Sequence, residues 1–169
     1  MALVHDDGGL LWAAEFAEDD SRLRHSLARY GIADADGPLS LREVEAPVAL
    51  ATAFADYFAG RLHALENLPT GVVGSVLERA VWAQLRRIPA GETRSYGEIA
   101  RALGGAASGH GINARAVGGA NGRNPLAIVV PCHRVIGADG SLTGYAGGLV
   151  RKAWLLRHEG WRPTEPRLL

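Results

Sequence analysis

The chain has 169 residues, 47% hydrophobic and 21% charged, with a formal net charge of zero. This is the composition of one ordinary globular domain or two small ones, and it excludes a disordered tail or a fibrous protein. No apolar run approaches the roughly 20 residues of a membrane-spanning helix, and the acidic opening MALVHDDGG lacks a signal peptide's positive charge. A cytoplasmic protein with no membrane contact is expected.

The elements are predicted in chain order. Leu3-Val4 and Leu10-Leu11-Trp12 flank the turn cluster His5–Gly9 and read as a hairpin. Glu18-Asp19-Asp20-Ser21 offers N-caps for a helix through Arg29, with Leu23 and Leu27 inward and Gly31 as the stop. A second helix is predicted from Pro47 to Ala59, with Val48, Ala51, Phe54, Ala55 and Phe58 on one stripe. Asn67–Gly71 reads as a linker between an N-terminal unit, 1–70, and a C-terminal unit, 71–169. Ser75-Val-Leu-Glu78 and Ser95-Tyr-Gly-Glu98 are capping boxes. The first opens a helix with Leu77, Val81, Leu85 and Ile88 inward, widened by Trp82 and ended by Pro89. The second opens a short helix with Ile99 and Leu103 inward. After the glycine-rich stretch 104–111, Asn113 caps a small-residue helix, Ala114–Ala120. Leu126–Val130 reads as a buried strand. A last helix is predicted over Leu149–His158, with Leu149, Ala153 and Leu156 inward. The class is α/β (α+β): a small N-terminal α/β domain with a short antiparallel sheet, then a mostly helical, winged-helix-like C-terminal domain containing a helix-turn-helix.

The zero net charge hides a division. Residues 1–70 carry −7 and residues 71–169 carry +7. Two readings remain open: a basic half that binds nucleic acid, or two halves that attract each other. The helix, glycine turn and small-residue helix over 95–120 fit a DNA-binding helix-turn-helix, and equally a helical hairpin in a core.

Chemistry points to Cys132, the single cysteine, which excludes an internal disulfide and a multi-cysteine zinc site. It follows Pro131 and precedes His133. A cysteine reacts as the thiolate, whose ordinary pKa is about 8.5, so a nearby base or cation is needed at neutral pH. Glu159 is a candidate to orient the histidine. On an extended strand adjacent side chains point to opposite faces, so Cys132 and His133 meet only if the chain turns there or a water bridges them. The alternative is a buried, inert thiol. The remaining histidines, His25 and His158 among them, lack metal-ligand spacing, and no metal is expected.

Pro131-Cys-His-Arg-Val135 resembles the active-site signature of the O6-alkylguanine-DNA alkyltransferase family, the methylated-DNA–protein-cysteine methyltransferases. Gly91–Tyr96, Arg115–Gly118, Asn124-Pro125, Gly144–Gly148, Lys152–Leu156 and His158-Glu159 resemble family blocks in family order. They cover residues from about 75 to 160. Over 1–70 the resemblance rests mainly on the order hairpin, helix, helix.

The resemblance implies a DNA repair protein that flips O6-alkylguanine out of the duplex and transfers the alkyl group irreversibly to its own cysteine, once per molecule. By this resemblance Cys132 is the acceptor, His133 activates it through a water, Glu159 holds His133, and Asn124 supports the loop. Tyr145 hydrogen-bonds or protonates the leaving guanine, assisted by Lys152. Val135, Tyr145, Ala146 and Gly147 line the pocket. The implied partner is double-stranded DNA, entered through the minor groove, with no obligate protein partner and no cofactor. Arg115 fills the gap left by the flipped base and Tyr96 presses on the phosphate. The implied DNA face adds Arg94, Ser95, Ala114, Ala116, Gly118, Gly119 and Arg123. Three departures stand out: the long 104–111 stretch, Leu77-Glu78 in place of a common Phe-Gln, and an N-terminal sheet expected to be short by a strand. The N-terminal zinc site of some members has no cysteine to build it here.

Alternatives from other classes are a non-catalytic alkyltransferase-like lesion binder, a cysteine hydrolase and a plain helix-turn-helix regulator. The first lacks the acceptor cysteine. The second needs an oxyanion hole that no motif supplies. The third leaves the motif density around Cys132 unused.

Overall fold

The computed structural model describes residues 1–16, 21–32, 42–104 and 111–162. The chain opens with strands β1 (Ala2–His5) and β2 (Leu11–Glu15), paired antiparallel with Leu3 opposite Ala14 and Val4 opposite Ala13. Asp6 closes the turn, accepting from the Leu10 N–H at 2.9 Å and the Trp12 indole at 3.2 Å. Helix α1 (Ser21–Arg29) buries Leu23 and Leu27 against Ala13, and Gly31 follows it. The cap candidates Glu18, Asp19 and Asp20 lie outside the described residues.

Helix α2 (Val48–Phe58) has the expected limits but a different inner face. Leu50, Phe54 and Tyr57 are buried, whereas Val48 is 82% exposed and Ala51 and Ala55 face outward. Alanines on both sides of the helix made the stripe ambiguous. The large side chains at 50, 54 and 57, spaced four and three apart, settle which face the core takes.

The segment Asn67–Gly71 is stitched to β2. The Leu11 N–H donates to Pro69 O at 3.0 Å and the Gly71 N–H donates to Leu11 O at 2.9 Å. Farther along β2, Ala14 exchanges hydrogen bonds with Pro125 O and the Ala127 N–H, at 2.9 and 2.8 Å. One apolar cluster accordingly joins Leu11, Leu50, Phe54 and Tyr57 to Val81, Leu85, Val117, Val130 and Leu155.

Both capping boxes form as expected. Ser75 and Glu78 open α3 (Val76–Leu85), and Ser95 and Glu98 open α4 (Tyr96–Ala102). Each serine oxygen takes an orphan N–H and each glutamate reaches back to the cap. Helix α5 (Ala114–Gly122) starts at Asn113, whose side chain accepts from the Ala116 N–H at 2.9 Å. Helices α3, α4 and α5 pack on one another. Residues 105–110, most of the long glycine-rich stretch, lie outside the described residues.

Residues 126–130 are buried but form no strand. They fold back as a tight turn, with the Val130 N–H on Leu126 O at 2.8 Å and Ile128 at φ +70°. A β-branched residue in that region is strained, and hydrogen bonds from Asn124 hold it. Past the turn, Cys132–Arg134 form one 3-10 turn, then β4 (Val135–Ile136) pairs parallel with β3 (Arg94–Ser95). Helix α6 (Leu149–His158) has the expected limits, but its inner residues are Lys152, Leu155 and Leu156, with Glu159 capping it. Leu149 is 48% exposed and Ala153 half-buried. Leu156 is inward as expected, and the rest of the stripe was missed because a lysine occupies its first position.

Candidate active site

Asn124 holds the turn that delivers the cysteine. Its Nδ2 donates to Val130 O at 2.8 Å and to Leu126 O at 3.4 Å, and its Oδ1 accepts from the Leu126 N–H at 3.0 Å. The same side chain favours the charged form of the Cys132 sulfur. From α5, Asn121 Nδ2 donates to Cys132 O at 3.3 Å.

Cys132 is buried. Burial pushes its thiol up to about 11, against the opposing pull of Asn124 and the Lys152 charge, while buried Glu15 pushes it further up. The resting residue is a neutral thiol: at pH 7 roughly one molecule in ten thousand carries the thiolate.

The 3-10 turn removes the strand-geometry problem, because Cys132 and His133 do not lie on an extended segment. The His133 ring is fully buried, with Nε2 3.0 Å from Glu159 Oε1. A carboxylate only accepts, so Nε2 carries the hydrogen and Nδ1 is the bare nitrogen. Nδ1 is buried and has no hydrogen-bond partner among the described residues. Burial lowers the proton affinity of His133 despite the pull of Glu159, so the ring rests neutral.

Glu159 is the most heavily bonded side chain of the site. Arg134 Nε reaches Oε2 at 2.8 Å and Nη2 reaches Oε1 at 2.7 Å, while Nη1 donates to Ile88 O at 2.5 Å. The Tyr57 hydroxyl donates to Oε1 at 2.7 Å. Burial works against the carboxylate, but the bonds from His133 and Arg134 outweigh it and hold Glu159 well below the ordinary range. Gly91, at φ +81°, passes Glu159 O so closely that a Cβ would lie 3.0 Å from it.

Lys152 is fully buried, and among the described residues no carboxylate pairs with it. Its ammonium donates to Val135 O at 2.6 Å and to Thr143 O at 2.5 Å. Burial lowers it to about 8, with the neighbouring Cys132 pulling the other way. It ties β4 to the loop that carries Tyr145, whose ring meets the His133 ring edge-on at 6.5 Å. Gly147 packs under that tyrosine, where a Cβ would come within 2.7 Å of the ring. Ala146 is exposed.

Tyr96, at the start of α4, reaches the same loop. Its hydroxyl donates to Thr143 O and Gly144 O at 3.3 and 3.2 Å. Gly118 of α5 lies against its ring, where a Cβ would sit at 3.8 Å. Ala114 and Arg115 are exposed at the start of α5, and Ala116, Gly118 and Gly119 are half-buried. Ser95 caps α4, and Arg94 pairs with Glu92 at 2.9 Å. Arg123 is turned onto Glu78 in an ion pair, so the glutamate at the Leu77-Glu78 departure holds it.

The structure thus gathers Cys132, His133, Glu159, Asn124, Lys152, Tyr145 and Val135 into one centre, with Tyr96 at its edge. Sequence reasoning missed Tyr57, Asn121 and the use of Arg134. Arg134 had a signal, standing next to His133 with a carboxylate expected nearby. Tyr57 had none. Among the described residues no group of histidine, cysteine and carboxylates could hold a metal, and no helix is long and apolar enough to cross a membrane.

The family described as 6-O-methylguanine DNA methyltransferase, DNA binding domain, matches residues 76–161, and the chain belongs to that family. A methylated-DNA–protein-cysteine methyltransferase of Salmonella typhimurium is 54% identical over 115 residues, 68% of this chain and 64% of that protein. One from Mycolicibacterium paratuberculosis is 54% identical over 61% of this chain and 59% of its own length. The match therefore spans less than two thirds of these relatives. Among solved structures, Mycobacterium tuberculosis OGT in complex with DNA is 40% identical, covers 93% of this chain and 84% of that one, and superposes with a TM-score of 0.72. The O6-methylguanine-DNA methyltransferase of Pyrococcus kodakaraensis is 31% identical over 94% of this chain and 89% of that one, with a TM-score of 0.70. The mixed α/β fold with its small antiparallel sheet is the fold of these proteins.

Proposed function

We propose that this protein repairs O6-alkylguanine in double-stranded DNA by moving the alkyl group to Cys132, once per molecule. The observation that carries the reading is the neutral His133, fixed at Nε2 by Glu159 and bare at a buried Nδ1. That is a general base with its hydrogen already placed on the far side. A water between Nδ1 and the sulfur lets the Cys132 proton pass to His133. The thiolate attacks the alkyl carbon, the S–C bond forms and the C–O6 bond breaks. The electron pair leaves with guanine, which takes a proton, with Tyr145 as the donor and Lys152 holding the loop. The thioether stays on Cys132, as the resemblance to the alkyltransferases implies, so the molecule is spent.

Burial of Cys132 keeps its thiol inert toward general oxidants and alkylators until a base is delivered to it. Delivery requires flipping the nucleotide, at a cost of a few kcal/mol of lost stacking. The small residues of α5 suit close approach to the minor groove, with Arg115 as the wedge and Tyr96 against the phosphate. The positive half supplies phosphate contacts, so binding falls as salt rises.

Intact-protein mass after incubation with a duplex containing O6-methylguanine tests the reading. The expected result is one methyl mass on Cys132, saturating at one per protein. Selective lesion binding without mass gain would place the protein with the non-catalytic lesion binders instead.

A further inference from the structure

We infer that Tyr57, in the first half of the chain, is a positioning residue of the reaction centre: its hydroxyl holds Oε1 of Glu159 and so sets how strongly Glu159 draws on the imidazole of His133. Its consequence for alkyl transfer rests on the function proposed above.

The contact joins residues 102 positions apart and is fully buried. Packing alone does not require it, since a phenylalanine ring would fill the same space. Oε1 accepts from three donors, the Tyr57 hydroxyl, His133 Nε2 and Arg134 Nη2, while Oε2 accepts from Arg134 Nε. Each added donor disperses the carboxylate's charge and weakens its pull on the others. Burial and the Glu159 charge push the Tyr57 phenol far above its ordinary range, so it remains a donor at every working pH.

Tyr57 is also held in place. His158 Nε2 donates to its carbonyl at 2.8 Å, and the two rings meet edge-on at 5.2 Å. The end of α2 is therefore fixed to the end of α6 beside the residue it serves. The charged and titratable groups around the pair are Arg134 on the 3-10 turn, His158 and Lys152 on α6, Tyr145 edge-on to His133, and Glu66, Arg86 and Arg87, which line the cavity that Tyr57 and Arg134 share. Besides Tyr57, His133 and Arg134 donate to Glu159, and Arg134 is already committed to both oxygens and to Ile88 O.

The test compares the full-length protein with Tyr57→Phe and with Leu50→Val, a buried control on the same helix. Proton NMR at neutral pH reads the His133 Nε2–H resonance, which does not depend on any activity. With the hydroxyl gone Oε1 becomes the stronger acceptor, so the resonance moves downfield in Tyr57→Phe and stays put in Leu50→Val. In the alkyl-transfer assay the acid limb of the rate profile moves to higher pH by about half a unit, because His133 keeps its proton longer. A Tyr57→Phe resonance that matches wild type, with stability lowered as in Leu50→Val, overturns the inference and leaves Tyr57 a packing residue. A moved resonance in Tyr57→Phe, together with a wild-type protein that never gains alkyl mass, upholds the positioning role and overturns the proposed function.

Discussion

Cys132 and Arg115 stand in the same half of the chain, yet their surroundings differ in kind. Around Cys132, elements from residue 57 to residue 159 converge, and Glu159, Asn124 and Lys152 are hydrogen-bonded inside the protein while His133 Nδ1 is left open among the described residues. Around Arg115 the helix is short, rich in alanine and glycine, and exposed on its outer side. The first region is built to hold protons in place before a substrate arrives. The second is built to leave room. Substitutions in the two regions should therefore fail differently, the first through chemistry and stability together, the second through binding alone.

The largest effect is expected from Cys132→Ala. Transfer should vanish in the mass assay while duplex binding survives, since the exposed side of α5 is built from residues other than Cys132. Any remaining transfer would remove Cys132 as acceptor. Next comes Glu159→Gln, which leaves the Arg134 guanidinium buried without its anion. Breaking such a pair costs about 3–5 kcal/mol, readable by urea unfolding. The same variant should flatten the acid side of the stability profile. Glu159 is held below its ordinary value near 4.5, so its contribution is present above that pH and is lost as pH falls below it. His133, buried neutral, adds a loss of the same sign starting below about 6.5.

A smaller loss, about 1–3 kcal/mol, is expected for Asn124→Ala, which frees the carbonyls of the 126–130 turn. The rate of transfer should fall with it, because Ile128 loses what holds it at positive φ. Ser95→Ala should cost about 1 kcal/mol through its cap, with no change in the pH profile. Arg115→Ala should be neutral in stability to within about 0.5 kcal/mol. It should weaken binding and repair more on a fully paired duplex than on a mismatched one, where flipping is cheaper. Equal loss on both duplexes would remove the wedge role and blur the contrast between the two regions.

Much of this was legible in the sequence, for a physical reason. Capping boxes, glycine stops and turn clusters are local: Ser75 with Glu78, or Ser95 with Glu98, act across three residues whatever the rest of the chain does. The limits of α2 and α6 followed from Pro47, Gly60 and the helical run before Glu159. The reactive cluster around Cys132 was legible because its residues stand in ordered blocks that resemble a family. Local pattern failed where two faces of a helix looked alike, as on α2, and where a charged residue faces inward, as with Lys152 on α6. It failed at Leu126–Val130 too, whose β-branched run suits a strand but which Asn124 folds into a turn.

The sequence by itself determined the capping boxes, the hairpin and the candidate cysteine with its adjacent histidine, because each depends on neighbours along the chain. Only the tertiary structure decided which nitrogen of His133 is open, because that depends on Glu159 arriving from 26 residues away. Only it turned Arg123 onto Glu78, and only it brought Tyr57 to the carboxylate. A hydrogen bond across 102 residues has no local signature. It exists because β2 and α2 share a core with the second half of the chain.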